Sequence, residues 1–350
     1  SVVKIFEKQS SMLQDQPYLW RKIDDKYSSL SWKEVRNNVE IFSTALKNLG
    51  ILAGDRVVIV SENRPEWQIA DLSIMAVGAI SVPAYTTSTT NDYEYIIKHS
   101  GARCIIVSNH DLANKVLPAV LNSHMCQTVI KINDDNKNYD VPITVLSWNS
   151  LINENNNNVL QLTESINNHK RTDTACIIYT SGTGGNPKGV MLSHGAMLAN
   201  CTGCKYLLED IVSSLKEIRF LSWLPLSHSY EHTITFYMIG IGAQIYYAEG
   251  IEKLLVNMAE ARPHFMTAVP RFYDSLHTRI SQGLKKQSKI SQFFFKETLR
   301  LGKKTYFNEP LSFFEKKFNE LLNKIVRKKV SKRFGGSLKA LVSGGAALNF

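Results

Sequence analysis

Five cysteines in 350 residues, at Cys104, Cys126, Cys176, Cys201 and Cys204, are too few and too scattered for a disulfide framework. Their odd number argues for a reducing compartment. Cys201 and Cys204 have C-x-x-C spacing, but no second pair accompanies them. They fall within the helix expected after His194 rather than at a βα turn, so small apolar helix residues are the better reading than a redox or zinc pair. No apolar run reaches the roughly 18 residues that a membrane span requires. The longest candidates, 69–82 and 234–245, are short or broken by Asp71, glycines and Gln244. The N-terminal Ser-Val-Val-Lys-Ile-Phe-Glu-Lys holds no long apolar stretch of the secretory type. These absences lead us to expect a cytoplasmic protein, with peripheral attachment at the inner face of a membrane left open.

What is present suits a large α/β protein. With 44% hydrophobic and 21% charged residues, the chain can bury one large core or two. Strand-like and helix-like segments alternate. Arg56–Val60 reads as a strand, Pro65–Ala76 as a helix with proline near its start, and Ile80–Tyr85 as a strand. Asn91–His99 follows as a helix with an asparagine cap, then Arg103–Val107 as a strand. Asparagine-rich stretches at 133–138 and 153–158 mark surface loops or hairpin tips. After about Arg171 a second series begins. Ala175–Tyr179 and Val190–Leu192 read as strands, with a helix after Ser193, a strand at Arg219–Leu224 and a helix from about Glu231. A strand at Gln244–Tyr247, a helix at Glu252–Ala261 and a strand at His264–Val269 complete it. Such alternation predicts βαβ units. The expected architecture is two facing α/β lobes with largely parallel sheets, residues 1–170 and 171–350.

The net charge of +10 is uneven. Residues 279–333 hold 16 lysines and arginines against four glutamates, a local +12, within a basic helical insertion at about 279–334. Phe293, Phe294, Phe295, Phe307, Phe313, Phe314, Phe318, Leu321, Leu322 and Ile325 interleave with these cations. Several readings stand. The insertion is a solvated one whose apolar stripe packs on the body, or a patch for an anionic membrane surface, or an attractor for anionic substrates. Nucleic-acid binding fits poorly, because no groove-reading or stacking motif accompanies the charge.

The richest stretch is Tyr179-Thr-Ser-Gly-Thr-Gly-Gly-Asn-Pro-Lys188-Gly-Val-Met-Leu-Ser-His194. Glycines let backbone N–H groups approach phosphate oxygens, hydroxyls donate further hydrogen bonds, and the lysine supplies a mobile charge. It is not a Walker A loop. Counting from Gly182, Pro187 stands where the second glycine belongs, and Gly189 stands where Ser/Thr should follow the lysine. Apolar segments on both sides place the loop between two strands, with the helix starting only after Ser193, a plausible N-cap. A surface loop without function is the bland alternative, weakened by the lysine fixed in Pro-Lys-Gly.

This stretch resembles the phosphate-binding signature of the adenylate-forming superfamily, which includes acyl-CoA synthetases, luciferases and the adenylation domains of peptide synthetases. The usual form is Ser/Thr-Ser-Gly-Thr-Thr/Ser-Gly-x-Pro-Lys-Gly. Here Gly184 replaces the second threonine, which removes one hydroxyl and keeps the spacing. The resemblance covers almost the whole chain. Gly54-Asp-Arg-Val-Val-Ile-Val, Asn63-Arg-Pro-Glu-Trp and Ala76-Val-Gly-Ala-Ile-Ser-Val-Pro-Ala precede the loop. Trp223-Leu-Pro-Leu-Ser-His-Ser-Tyr-Glu231, Ala268-Val-Pro-Arg-Phe-Tyr and Ser343-Gly-Gly-Ala-Ala-Leu348 follow it in family order. Pro-Leu-Ser-His-x-x-Glu and Ser-Gly-Gly-Ala-x-Leu are similar to the long-chain fatty acyl-CoA synthetase branch. That branch also carries a lysine-rich helical segment before Ser-Gly-Gly-Ala.

The resemblance implies a two-step activation using ATP, Mg2+ and CoA. A fatty acid carboxylate attacks the ATP α-phosphate, forming acyl-AMP and expelling pyrophosphate, and the CoA thiol then displaces AMP. By the same resemblance Thr180, Ser181, Gly182, Thr183, Gly184, Gly185 and Lys188 hold the β- and γ-phosphates, with Thr180 nearest the metal. Pro187 would stiffen the loop and pre-aim the lysine. His228 follows a strand end at Leu224-Pro225 and by resemblance lines the junction of acyl carboxylate and phosphate, a helix-capping or structural histidine being the alternative. Glu231 is either an acid in a helix's first turn or an orienting partner. Gly344, Gly345 and Ala346 resemble the turn that stacks against adenine, against a simple turn. Arg271, after Pro270, is a helix-start cation that serves equally well as a structural one.

The family pattern continues past Leu348 with an aromatic-Gly-x-Thr-Glu motif, a ribose-binding aspartate, a hinge and a small C-terminal lid with a catalytic lysine. None is in this sequence, so the expectation is a chain that does not complete adenylation alone. Two further alternatives stand: adenylation of another carboxylic acid, or transfer to a carrier protein, and a non-catalytic basic module for membrane surfaces.

Overall fold

The computed structural model describes residues 1–134, 139, 141–157, 159–180 and 186–344, and the chain divides into two compact units. The first comprises Ser1–Glu217 and Leu224–Tyr247, the second Ile218–Trp223 and Ala248–Phe350.

The first unit opens with α1 (Val2–Leu13), β1 (Pro17–Ile23), β2 (Lys26–Ser31) and α2 (Trp32–Asn48). It continues through β3 (Arg56–Val60), α3 (Pro65–Ala76), β4 (Ile80–Ala84), α4 (Thr90–Ser100), β5 (Cys104–Val107) and α5 (His110–Leu121). Then come β6 (Thr128–Lys131), β7 (Thr144–Ser147), α6 (Trp148–Glu154), α7 (Leu162–Ser165), β8 (Thr174–Thr180), β9 (Lys188–Ser193) and α8 (His194–Val212). After β10 (Arg219–Ser222) of the second unit, the chain returns for α9 (Ser229–Gly240) and β11 (Gln244–Tyr247). The rest of the second unit is α10 (Leu254–Ala261), β12 (Phe265–Ala268), α11 (Pro270–Lys285), α12 (Lys289–Tyr306), α13 (Phe313–Leu322), a π-helical turn at Asn323–Arg327, α14 (Lys328–Arg333) and β13 (Ala340–Ser343).

A seven-stranded sheet in the order β7-β6-β5-β3-β4-β8-β9 organises the first unit. Every neighbouring pair in it is parallel except β8 and β9. Parallel strands need crossovers and are covered on both faces, so they read as continuous apolar runs. Val57–Val60 and Cys104–Val107 are buried throughout. Val58, Val60, Ile105 and Val107 pack with Tyr93, Ile97, Val116 and Val120 of α4 and α5 in one core. β1 pairs in parallel with β11 and antiparallel with β2. In the second unit β10, β12 and β13 run parallel, with Phe220 opposite Phe265 and Phe265 opposite Ala340. The chain is thus an α/β protein with mixed, mostly parallel sheets, as the alternation of segments implies.

The division expected at 170/171 falls inside the first unit, because β8 pairs with β4 in the same sheet as β3–β7. Local signals fix most helix ends. Ser193 caps α8 as expected, its hydroxyl accepting from the Ala196 N–H at 3.1 Å. For α4 the cap is Thr89 rather than Asn91. Its hydroxyl accepts from the Asp92 N–H while the Asp92 carboxylate accepts from the Thr89 N–H, a reciprocal capping box. Gly101 ends α4 at φ 63°, a left-handed conformation that favours glycine, and a Cβ there would displace the Arg56 guanidinium, 2.6 Å away. Of the asparagine-rich stretches, 135–138 and 158 lie outside the described residues.

Candidate functional site

The glycine-rich stretch connects two antiparallel strands, as its apolar flanks imply. β8 is a buried strand whose run Ala175–Tyr179 has no exposed member, whereas β9 is an edge with Val190 and Met191 exposed. The ladder pairs Thr180 directly with Lys188, both exposed. The hydroxyl and the ammonium that the sequence nominates are therefore cross-strand neighbours at the ends of the connection, with the register holding them. Ser181, Gly182, Thr183, Gly184 and Gly185 lie outside the described residues.

The base of this connection is braced by side chains that sequence reasoning leaves unassigned. The Tyr95 hydroxyl, from α4, donates to the Pro187 carbonyl at 3.0 Å. The Tyr179 hydroxyl shares a 2.8 Å hydrogen bond with His99 Nδ1 from the same helix. Burial pushes the Tyr179 phenol up to about 12, with Tyr95 adding to the effect, so it stays neutral in that bond. At Gly189 a Cβ would meet Ile177 Cγ2 at 2.9 Å and the Tyr179 ring at 3.2 Å. Glycine after the lysine is thus what lets β9 lie against β8. A tyrosine and a histidine four residues apart on a helix are the only sequence signal for this brace, and many helices carry such a pair.

A second group of nominated residues lies at the start of α9. The segment leading to it is held by Asn63, whose amide donates to the Leu224 carbonyl at 2.7 Å and whose carbonyl accepts from the Leu226 N–H at 3.1 Å. His228 is the exposed N-cap of α9, its Nδ1 accepting from the Tyr230 N–H at 3.2 Å. Glu231 occupies the first turn of α9 and is fully buried. One residue on, His232 Nε2 meets Asp71 Oδ2 of α3 at 2.9 Å, with both side chains fully buried. Burial alone would push the His232 imidazole down. The Asp71 charge and their hydrogen bond prevail and raise it to about 10, so the pair is ionic. The Trp67 ring packs edge-on against His232 at 5.4 Å. Asn63 and the Asp71–His232 pair therefore fix the entry and the first turn of α9, the turn that carries His228 and Glu231.

The remaining candidates belong to the second unit. Gly344 follows β13 and its N–H donates to the Ala268 carbonyl at 3.4 Å, while Gly345 and Ala346 lie outside the described residues. Arg271 is exposed in the first turn of α11. Cys201 and Cys204 are in α8 as expected. Burial raises both thiols, Cys201 to about 12, which leaves them protonated and poor metal ligands or nucleophiles. A hard dication such as Mg2+ takes several oxygen ligands. Among the described residues no group of three His, Cys, Asp or Glu side chains gathers to supply them.

The AMP-binding enzyme family model matches residues 6–349. Fatty acyl-CoA synthetase A of Dictyostelium discoideum is 28% identical over 338 residues, an alignment covering 92% of this chain and 47% of that protein. Long chain acyl-CoA synthetase 3 of Arabidopsis thaliana is 29% identical over 335 residues, covering 92% and 49%. The chain thus spans about half the length of these relatives. Among solved structures, the adenylation domain of a carboxylate reductase from Mycobacterium chelonae superposes with a TM-score of 0.73 at 18% identity, covering 99% of this chain and 54% of that one. At that identity the likeness speaks for the fold alone.

Proposed function

The chain belongs to the AMP-binding enzyme family, and from that premise we propose that it forms the nucleotide-handling part of an enzyme that activates a long-chain fatty acid. In the first step a carboxylate oxygen bonds to the α-phosphorus of ATP, the bond to the β-phosphate bridging oxygen breaks, and pyrophosphate leaves with its electron pair. In the second, the CoA sulfur bonds to the acyl carbon and AMP departs. Neither step needs a covalent bond to the protein. What the protein supplies is position and charge.

The observation that carries this reading is the register of Thr180 against Lys188. A hairpin braced by Tyr95, Tyr179 and His99 presents one ammonium and one hydroxyl at the ends of a connection rich in glycine and hydroxyl side chains. The role of Lys188 is to offset charge on the β- and γ-phosphates as pyrophosphate departs, and Thr180 donates to a phosphate oxygen. Ser181–Gly185 would surround the phosphates with N–H and O–H donors. His228 is assigned to the junction of carboxylate and phosphate, oriented by its bond to the Tyr230 N–H. Glu231 is assigned to orienting the start of α9, and Gly344, Gly345 and Ala346 are assigned to adenine. Mg2+, when bound with ATP, offsets phosphate charge. The long-chain preference and the CoA acceptor rest on the names of the two acyl-CoA synthetase relatives.

Carboxylate-dependent ATP–pyrophosphate exchange, measured on the complete polypeptide across fatty acids of rising chain length, tests the proposal. Exchange peaking with long chains is expected, and Lys188→Ala should lower it by about 10²- to 10³-fold, the range seen when one preorganised charge-stabilising donor is removed. Exchange with short or aromatic acids alone would move the assignment to another carboxylate. Exchange with none would remove the enzymatic reading.

A further inference from the structure

We propose that the exposed faces of α12 and α13 form a docking surface for an anionic lipid bilayer. A basic insertion folded back on the body would bury an apolar stripe, but this segment buries little. Within the helical span from Pro270 to Arg333, only Thr298, Leu301 and Leu322 are buried. Phe272 of α11 packs on Trp223 at 5.1 Å, and the aromatic contact of α12 is with α13. Phe294 of α12 faces Phe318 of α13 at 6.1 Å, and Arg327 reaches the Thr298 carbonyl at 3.1 Å.

The opposite side of α12 carries Lys296, Leu299, Lys303 and Tyr306, at spacings of three, four and three, and all are exposed, while the exposed Phe293 sits at the flank, 6.5 Å from Phe318. That spacing puts the four on one helical stripe. Phe307 continues it, with the Lys303 ammonium 5.9 Å from its ring centroid. Phe313 and Phe314 then open α13 at 70% and 82% exposure, followed by exposed Lys317 and Leu321. Large rings standing in water at this density mark an interaction surface.

Charge identifies the occupant. Residues 279–333 hold 16 lysines and arginines and four glutamates. Two of those glutamates are already engaged: Glu297 pairs with Arg300 at 3.0 Å, and Glu315 pairs with Arg300 and Lys304 at 2.8 Å. A protein partner covering this face would have to neutralise the surplus residue by residue. A bilayer surface with anionic headgroups does so without fixed geometry. Aromatic rings seat at the headgroup level and lysine stems extend toward the phosphates. The surface needs nothing from the phosphate loop, so its test stands apart from that of adenylation.

The test is co-sedimentation of the complete polypeptide with vesicles of phosphatidylcholine alone and of phosphatidylcholine with about one-third phosphatidylglycerol, across a salt series. Binding is expected to the anionic vesicles only and to fall as salt rises. Two lysines at an anionic surface contribute about 1 kcal/mol each, so Lys296→Gln with Lys303→Gln should weaken partitioning about 30-fold. Phe313→Ser with Phe314→Ser should weaken it about tenfold or more. These side chains are exposed, so unchanged circular dichroism and thermal melting check that the variants fold.

A Phe314→Trp variant gives an independent readout, because the five native tryptophans all lie outside this segment. Its difference emission should shift to the blue on anionic vesicles and be quenched by acyl-chain bromines. Equal binding to neutral vesicles, indifference to both double substitutions, or an unshifted Trp emission would each overturn the proposal. So would a complete polypeptide that ignores vesicles, since the face would then be covered by protein.

Discussion

The α3–α9 contact of the first unit and the α12–α13 hairpin of the second put charge to opposite uses. Both are helix pairs, and each combines large apolar side chains with ionisable ones. In the first, α3 is almost wholly buried, and its one aspartate meets one histidine with both side chains fully buried. In the second, the cations outnumber the acids, the ion pairs lie at the surface, and several rings face solvent. A buried charge is tolerated only when its partner is fixed, so the α3–α9 pair defines one arrangement of two helices. Exposed cations tolerate many arrangements and are free to meet a second surface. The helix that carries His228 and Glu231 is thus anchored by a buried ionic contact. The basic hairpin is left open to a partner.

The sharpest way to break this contrast is to remove one member of the buried pair. His232→Ala or Asp71→Ala strands a buried charge and should cost about 3–5 kcal/mol, read from denaturant midpoints at constant slope. A cost below about 1 kcal/mol would show that the pair does not hold α9. Because the second member is already alone in each single variant, the double change should cost less than the sum of the two.

The same pair predicts a pH dependence that the hairpin lacks. His232 rises from an ordinary 6.5 to about 10 in the folded protein. Its stabilisation is therefore fully present below about pH 6.5 and is lost as pH rises through about 10, since the folded state binds the extra proton across that window. Urea midpoints measured from pH 6 to pH 10 should fall with rising pH, and His232→Ala should flatten that part of the curve. A parent protein whose midpoint is level or rises over this window would contradict the ionic assignment.

A smaller effect sharpens the comparison from the other side. α13 is opened by a capping box in which the Ser312 hydroxyl accepts from the Glu315 N–H at 3.3 Å and Glu315 Oε2 accepts from the Ser312 N–H at 3.0 Å. Ser312→Ala should cost about 1 kcal/mol. With so few buried contacts to spread the loss, it should appear as faster amide exchange confined to α13 rather than as a lower global midpoint. Loss of protection spreading to the first unit would mean that the hairpin is more tightly built in than its exposure indicates.

How far these regions were legible in the sequence follows from how local their causes are. The β8–β9 hairpin could be read because apolar runs flank a stretch punctuated by Pro187 and Gly189, and Ser193 announces the next helix. The Thr89 cap is a sequence signal too, through Asp92 three residues on, but Asn91 competes with it on composition alone. The Asp71–His232 pair leaves no local trace, since its members are 161 positions apart and each alone looks like a polar interruption of a helix. Tyr95 and His99 are equally silent until α4 packs beside Pro187. The assignment of β8 and β9 to the first unit depends on which strand β8 pairs with, and alternation of strands and helices does not encode that order. The opening residues, with the short β1–β2 pair, carry mixed polarity and no clear period. The exposure of the basic hairpin was left open for a related reason. A stripe of phenylalanines has the same periodicity whether it faces a core, a bilayer or water.

The smallest expected effect bears most directly on that ambiguity. Phe314 is 82% exposed, and its ring lies near Phe313 at 5.9 Å rather than in the unit's core. If the outer face of α12–α13 contributes nothing to folding, Phe314→Ser should change stability by no more than about 0.5 kcal/mol, as surface substitutions do. A phenylalanine fully buried in a core would instead cost several times that on truncation. Denaturation of the complete polypeptide without vesicles distinguishes the two. A loss of about 2 kcal/mol or more would place this ring against protein and return the face to the body of the molecule. A negligible change leaves the ring with no folding role, which is the condition under which a surface can be devoted to binding.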